Sequence, residues 1–287
     1  MKLGIIGPPQ SGKTTLFNAV SGKMEAVGDY SRAVHRAIIK VPDERLDNLT
    51  TTLVSTKKIT HAEIEFLDAA GFTGKGKKAG GDTDIMPDLR LMDALVIVVD
   101  QYSQEASPEA DLQAILDEMI LADMMVIENN VDKLERTLKL TGKNERAREL
   151  EILKQCRTAL ENETPLSEIG LTLEDKKEVR GYAFLTLKPV LITFNISEDL
   201  LPKYNSIYEG HKKYCLESIR DISVICGKIE MELAALEIEE RKEFLKELNI
   251  ERPAVEKFIQ KSYNLLGLIS FFTIGEPECR AWTIKKG

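Results

Sequence analysis

Long hydrophobic runs are missing from this chain of 287 residues; no apolar stretch approaches the roughly 18 residues that a bilayer span needs. The opening Met1-Lys2-Leu3-Gly4-Ile5-Ile6-Gly7 is interrupted by glycine too early for a secretory signal, so a cytoplasmic location and no membrane partner are expected. Cysteine is scarce. Cys156, Cys215, Cys226 and Cys279 form no C-x-x-C pair and have no histidine at zinc-ligand spacing. Reduced thiols are therefore expected, not a disulfide frame or a metal site. The three histidines, His35, His61 and His211, are too scattered for a metal site or a triad. Positive charge is not in excess either: a net charge of −8 argues against coating DNA or RNA through a broad basic face. Lys57-Lys58 and Lys75 to Lys78 are local basic runs that suit docking on an RNA-rich partner, although such runs are more often solvated loops.

What the chain does contain is a series of apolar, β-rich runs: Leu3–Ile6, Ala62–Leu67, Ala94–Val99, Pro189–Phe194, Asp221–Cys226 and Gly267–Ile274. Nearly continuous apolar runs suit strands covered on both faces of a mostly parallel sheet, and the helical stretches between them complete a three-layer α/β domain. The alternation stops between Pro108 and about Arg180. Leu112, Leu116, Met119, Val126, Val131, Leu134 and Leu138 mark one helical face, and Thr141-Gly142-Lys143-Asn144 reads as a turn. Leu150, Leu153, Cys156 and Leu160 continue a second helix before Pro165. The pattern predicts two antiparallel helices, the first about 30 residues and about 45 Å long. Residues 108–185 are expected as an inserted helical arm, with 1–107 and 186–287 forming one nucleotide-binding domain; a helical layer lying flat on the sheet is the alternative.

Gly7-Pro8-Pro9-Gln10-Ser11-Gly12-Lys13-Thr14 fits G-x-x-x-x-G-K-[ST]. A random chain of this length contains that pattern about once in a hundred cases. Its position after an apolar strand and before Leu16-Phe17-Asn18-Ala19-Val20 makes chance rarer still. The chemistry follows from position: main-chain N–H groups of the loop, through Gln10, Ser11 and Gly12 to Thr15, turn inward on a polyphosphate at a helix N-terminus. Lys13 brings a point charge to the β- and γ-phosphates, and the Thr14 hydroxyl is the expected Mg²⁺ ligand. A second signal is Asp68-Ala69-Ala70-Gly71 at the end of the run Ala62–Leu67. In switch nucleotidases the Asp of such a D-x-x-G reaches Mg²⁺ through a water. The Gly N–H meets the γ-phosphate, and hydrolysis frees it. Gly74 to Gly81 is Gly-rich and charged, as a switch loop requires. Phe72 follows Gly71 where Ras-like enzymes place a water-orienting Gln, so slow hydrolysis is expected. Asp100, at the end of Ala94–Val99, reads as a strand-terminal residue rather than a catalytic one.

Two segments bear on the base. Asn195-Ile196-Ser197-Glu198 stands where GTPases carry N-K-x-D, and Cys226-Gly227-Lys228 follows the next apolar run. Glu198 is one methylene longer than the Asp that grips guanine, and Ile196 replaces the Lys that covers the base. Discrimination for guanine worth about 1–3 kcal/mol is then lost, which permits ATP. These residues, with Gly12-Lys13-Thr14-Thr15-Leu16-Phe17-Asn18-Ala19, Pro42-Asp43-Glu44-Arg45-Leu46, Lys188-Pro189-Val190-Leu191, Ile225-Cys226-Gly227-Lys228-Ile229-Glu230 and Arg280-Ala281-Trp282-Thr283-Ile284, carry a resemblance almost end to end. The chain resembles the YchF-type subfamily of Obg-related P-loop GTPases and ATPases, of the TRAFAC class.

The resemblance implies a coiled-coil insertion where the arm is expected, an N-x-x-E base motif with ATP preferred over GTP, and the ribosome or translation machinery as partner. It implies a switch I hydroxyl toward Mg²⁺, which the spacing back from Pro42 assigns to Ser31. The chain departs from the family at Gln10, where Asn is linked to K⁺, and this argues against a K⁺ cofactor. Gln101 to Pro108 lacks the histidine that members often carry, and the family's C-terminal TGS domain has no counterpart in the sequence. The leading expectation is a slow, Mg²⁺-dependent ATPase acting as a molecular switch, with Lys13 and Gly71 at the reacting phosphate. The alternatives are a non-hydrolysing nucleotide-gated module working through its arm, a conventional GTPase and, more weakly, a small-metabolite kinase. A kinase would need an Arg-rich lid, whereas Arg146 and Arg148 on the arm read as solvated helix residues.

Overall fold

The computed structural model describes residues 1–22, 35–52, 58–68, 86–141, 146–248 and 250–286. Strand β1 (Lys2–Ile6) runs into the loop before helix α1 (Lys13–Ser21). Next come β2 (His35–Lys40), α2 (Glu44–Thr52), β3 (Ile59–Thr60), β4 (Glu63–Asp68), α3 (Met86–Arg90) and β5 (Ala94–Gln101). The main sheet has the order β2-β4-β1-β5, continued by β6 (Val190–Ile196) and β7 (Arg220–Ile225). Strands β4, β1, β5, β6 and β7 are parallel. Every residue of β6 and the stretch Ala94–Val99 of β5 are buried, which is why those strands read as unbroken apolar runs. The strand order turns back at β1, so the loop leaving its C-terminal end opens into the crevice where such sheets bind ligands.

Two departures from the sequence reading have physical causes. Strand β2 pairs antiparallel on the edge beside β4 and buries only Ala37 and Ile39, too sparse a pattern to stand out in the sequence. The run expected as Gly267–Ile274 does not join the main sheet. As β8 (Leu268–Ile274) it pairs antiparallel with β9 (Cys279–Lys285), and β3 adds to β9 in a separate three-stranded sheet. A connection of a few residues between β8 and β9 permits a hairpin and forbids a parallel crossover.

The helical region is led by α4 (Pro108–Thr141), whose 34 residues span about 51 Å. Its first turns lie on the main sheet: Leu112, Ile115 and Met119 share a core with Leu95, Ile97 and Val99. Further along, Ile127, Val131 and Leu134 pack instead with Ile152, Leu153, Cys156 and Leu160 of α5 (Ala147–Glu161). The same helix is therefore a sheet-covering layer at one end and half of a helical pair at the other. A short helix α6 (Leu173–Glu178), closed by a Thr172–Asp175 capping box, and a 3-10 turn at Leu185–Leu187 return the chain to β6. The other core is covered by α1 and α10 (Ala254–Leu265), with Met231 of α8 (Gly227–Ala235) at its border. Ile229 and Leu233 of α8, together with α7 (Tyr204–His211) and α9 (Ile238–Glu247), pack into the core that α4 shares. The buried Glu230 carboxylate accepts from Ala254 N at 2.7 Å and Val255 N at 3.2 Å, fixing the start of α10 to α8. Among the described residues no helix is long and apolar enough to cross a membrane.

Candidate nucleotide site

The loop from Gly7 to Gly12 is held from both sides. Gly12 has φ +94°, and a β-carbon there would stand 2.1 Å from Asn195 Nδ2, so only glycine fits. Asn195, at the end of β6, explains the crowding. Its Nδ2 donates to Ser11 O at 3.1 Å, and its Oδ1 accepts from Gly227 N at 2.9 Å. One amide thus ties the phosphate loop to the start of α8. Thr15 completes the seam: its Cγ2 and Asn195 Oδ1 lie 3.3 and 3.1 Å from where a β-carbon of Gly227 would be.

Lys13 opens α1 and folds back over its own loop, donating to Gly7 O at 2.9 Å and Pro8 O at 2.7 Å. Burial pulls its ammonium down to a pKa of about 8, against the opposing pull of the Asp68 carboxylate. Two main-chain acceptors that hold an ammonium in place are weak competitors for a triphosphate, so the group is poised to transfer. Thr14 Oγ1 donates to Asp68 Oδ2 at 3.0 Å, joining the start of α1 to the end of β4 across 54 residues of sequence. Asp68 is buried, and burial raises its carboxyl pKa against the lowering effects of Thr14, Lys13 and His35. Its Oδ1 and the buried Ser11 Oγ have no hydrogen-bond partner among the described residues. A hydroxyl and a carboxylate with an unused oxygen form an all-oxygen donor set, which fits Mg²⁺. No cluster of three or more His, Cys, Asp or Glu suited to a metal occurs among the described residues.

Gln10, the residue in place of Asn, is exposed in the left-handed conformation with φ 63°, and its carbonyl accepts the hydroxyl of Tyr102. Sequence reasoning missed Tyr102. It is presented by a turn in which the Asp100 carboxylate accepts from Tyr102 N at 2.8 Å, from Ser103 N at 3.1 Å and from the Ser103 hydroxyl. Asp100 therefore builds a turn, a role the sequence reading did not assign to it. The signal that could have revealed it is the short Asp-x-x-Ser segment after an apolar strand. At the base end, Ile196 and Cys226 are buried in the core. Glu198 and Lys228 point outward, and Lys228 Nζ lies 2.5 Å from Glu198 Oε1. That pairing was not legible either, since the two residues sit on separate loops. Ser31, Gly71, Phe72, Lys57 and the stretch Gly74 to Gly81 lie outside the described residues. Arg146 and Arg148 are committed elsewhere, to Glu149 and to Glu151 and Asp175.

A family profile described as a 50S ribosome-binding GTPase matches residues 2–130. A protein of Bacillus subtilis is 37% identical over 99% of this chain and 81% of its own length, and bears the name ribosome-binding ATPase YchF. The chain belongs to the YchF family. A YchF protein of Escherichia coli O157:H7 with the same name is 32% identical over 100% of this chain and 81% of its own. A solved YchF GTPase of Schizosaccharomyces pombe superposes with a TM-score of 0.83 at 27% identity, covering 100% of this chain and 81% of that one. The expected P-loop fold and the YchF resemblance are thereby borne out.

Proposed function

We propose that this YchF-family chain binds ATP in preference to GTP, hydrolyses it slowly with Mg²⁺, and acts as a nucleotide-dependent switch at the ribosome in the cytoplasm. The observation that carries the reading is Asn195. Its side chain joins the loop before Lys13 to the segment Cys226-Gly227-Lys228, so phosphate and base segments far apart in sequence form one site. The names of the relatives support the ATPase activity and the ribosomal partner.

In this reading the loop N–H groups from Gln10 to Thr15 bind the polyphosphate, and Lys13 exchanges the Gly7 and Pro8 carbonyls for phosphate oxygens. Thr14 and, through a water, Asp68 would hold Mg²⁺, with Ser31 and the Gly71 N–H completing the γ-phosphate end. When bound, the metal ion neutralises charge on the phosphate oxygens. Catalysis is then mainly electrostatic: the donors that meet the ground-state phosphates are already aligned for the charge that grows on the departing diphosphate. Residues 108–185 serve as the effector arm. Its arginines at 146 and 148 are paired within the arm, which weighs against a kinase lid.

Phosphate release measured with ATP and GTP, with and without ribosomes, tests this. Slow ATP turnover that ribosomes accelerate is expected. GTP binding about ten-fold tighter than ATP would overturn the base reading. No release under any condition would leave the nucleotide-gated binding module.

A further inference from the structure

The base end of the site is closed by a pair that spans its two loops. Glu198 begins the 3-10 turn after β6, and Lys228 is the second residue of α8. Their side chains, 44% and 67% accessible, stand at the solvent mouth while Ile196 and Cys226 are withdrawn into the core. Within the segments 195–198 and 226–228, the charged groups able to meet the edge of a purine are this carboxylate and this ammonium.

We propose that Lys228 is a specificity-determining residue: by holding Glu198 it denies guanine the free carboxylate that its N1–H and N2–H donors need, and so favours adenine. The inference rests on the reading of residues 195–198 and 226–228 as the base site. A carboxylate takes a fork of two N–H donors through two free oxygens. With Oε1 engaged by Lys228, one oxygen remains and its charge is partly neutralised. The remaining N–H bonds of the ammonium bring donors to a place where guanine also presents donors. Adenine offers the N1 lone pair instead, which an ammonium can meet. The helix itself gives no electrostatic reason for Lys228, because a cation in the first turn stands against the helix dipole. Glu198 supplies the contact that Lys228 makes instead, and this places the carboxylate across the mouth.

The test is titration of fluorescent N-methylanthraniloyl ATP and GTP, with Mg²⁺, against the wild-type chain, Lys228→Met and Asn195→Ala, each checked for an intact melting transition. Lys228→Met is expected to lower the preference for ATP over GTP by about five-fold or more, chiefly by tightening GTP. Salt at about 0.5 M should move the wild-type ratio in the same direction, since an accessible pair is screened. If Asn195→Ala weakens both nucleotides while Lys228→Met keeps the ratio within about two-fold of wild type, Lys228 has no such role. If Asn195→Ala binds both nucleotides as tightly as wild type, the base site itself is misassigned.

Discussion

The guanidinium of Arg90 meets the carboxylate of Asp123 at 2.9 Å, and Asp123, in the middle of α4, is completely buried. Arg90 ends α3, a few residues after the segment that follows the D-x-x-G motif. Asp123 also accepts from Leu185 N at 3.0 Å, Thr186 N at 2.8 Å and Thr186 Oγ1 at 2.8 Å. Arg90 in turn reaches Ala122 O and Ala183 O. One carboxylate thus joins α3, α4 and the chain returning to β6, where sheet and helical pair meet. Removing one member of a buried ion pair leaves the other charge uncompensated, at a cost of about 3–5 kcal/mol. Asp123→Ala is expected to lose about that much in urea unfolding followed by circular dichroism. Asp123→Asn, which keeps an acceptor for Leu185 N, should lose less; equal stability of all three proteins would show that the network is not holding the junction.

Gly12→Ala tests the crowding at the loop. The added methyl would sit 2.1 Å from Asn195 Nδ2 at a backbone angle unfavourable to L-residues. Either the loop or Asn195 must move, and the main-chain donors lose their convergence. Affinity for ATP with Mg²⁺ should fall by about 100-fold, equivalent to about 3 kcal/mol of strain and unmade bonds. Calorimetric titration would check it, and near wild-type affinity would refute the close fit.

Lys13→Ala removes the ammonium now resting on Gly7 O and Pro8 O. Loss of one such preorganised donor typically costs about 100- to 1,000-fold in turnover. Phosphate release should drop at least that far while the fold survives, since the side chain bonds only its own loop. Turnover equal to wild type would trace the activity to a contaminant.

Acid should loosen the region from 146 to 182 before the sheet. Burial works to raise the Glu149 carboxyl pKa, but hydrogen bonds from Arg146 and Tyr182 outweigh it and leave it below the ordinary value of 4.5. Asp175 is held below 3.8 by hydrogen bonds from Thr172 and Arg148. Both groups have folded pKa values below their unfolded ones. Their contribution is thus complete above 4.5 and 3.8, and is lost as pH falls through the folded values. Amide exchange across α5 and α6 should accelerate below that window while the strands of the main sheet stay protected; uniform exchange at low pH would contradict it.

Thiol titration provides an independent check on packing. Cys156, Cys226 and Cys279 are buried and Cys215 is exposed. Burial pushes the Cys156 thiol up to about 11, and burial with the nearby Asp221 also raises Cys215. One equivalent should react with Ellman's reagent in the native protein, more slowly than free cysteine at pH 8, and the other three only after unfolding. Fast reaction of several thiols would mean a looser core.

Whatever depends on neighbours along the chain could be read from the residues in order. The G-x-x-x-x-G-K-T pattern, its strand before and helix after, and the apolar runs of β5 and β6 are local facts, and local periodicity carries them. The long helical stretch of α4 was legible for the same reason; the expected turn at Gly142 to Asn144 lies outside the described residues. What joins distant segments emerged only on folding: Thr14 with Asp68, Asn195 with Ser11 and Gly227, Lys228 with Glu198, Arg90 with Asp123. Folding also assigned the last two long strands to a separate sheet with β3. A hydrogen bond or an ion pair has no signature in spacing when its partners are tens of residues apart; packing brings them within about 3 Å, and packing is a property of the whole chain.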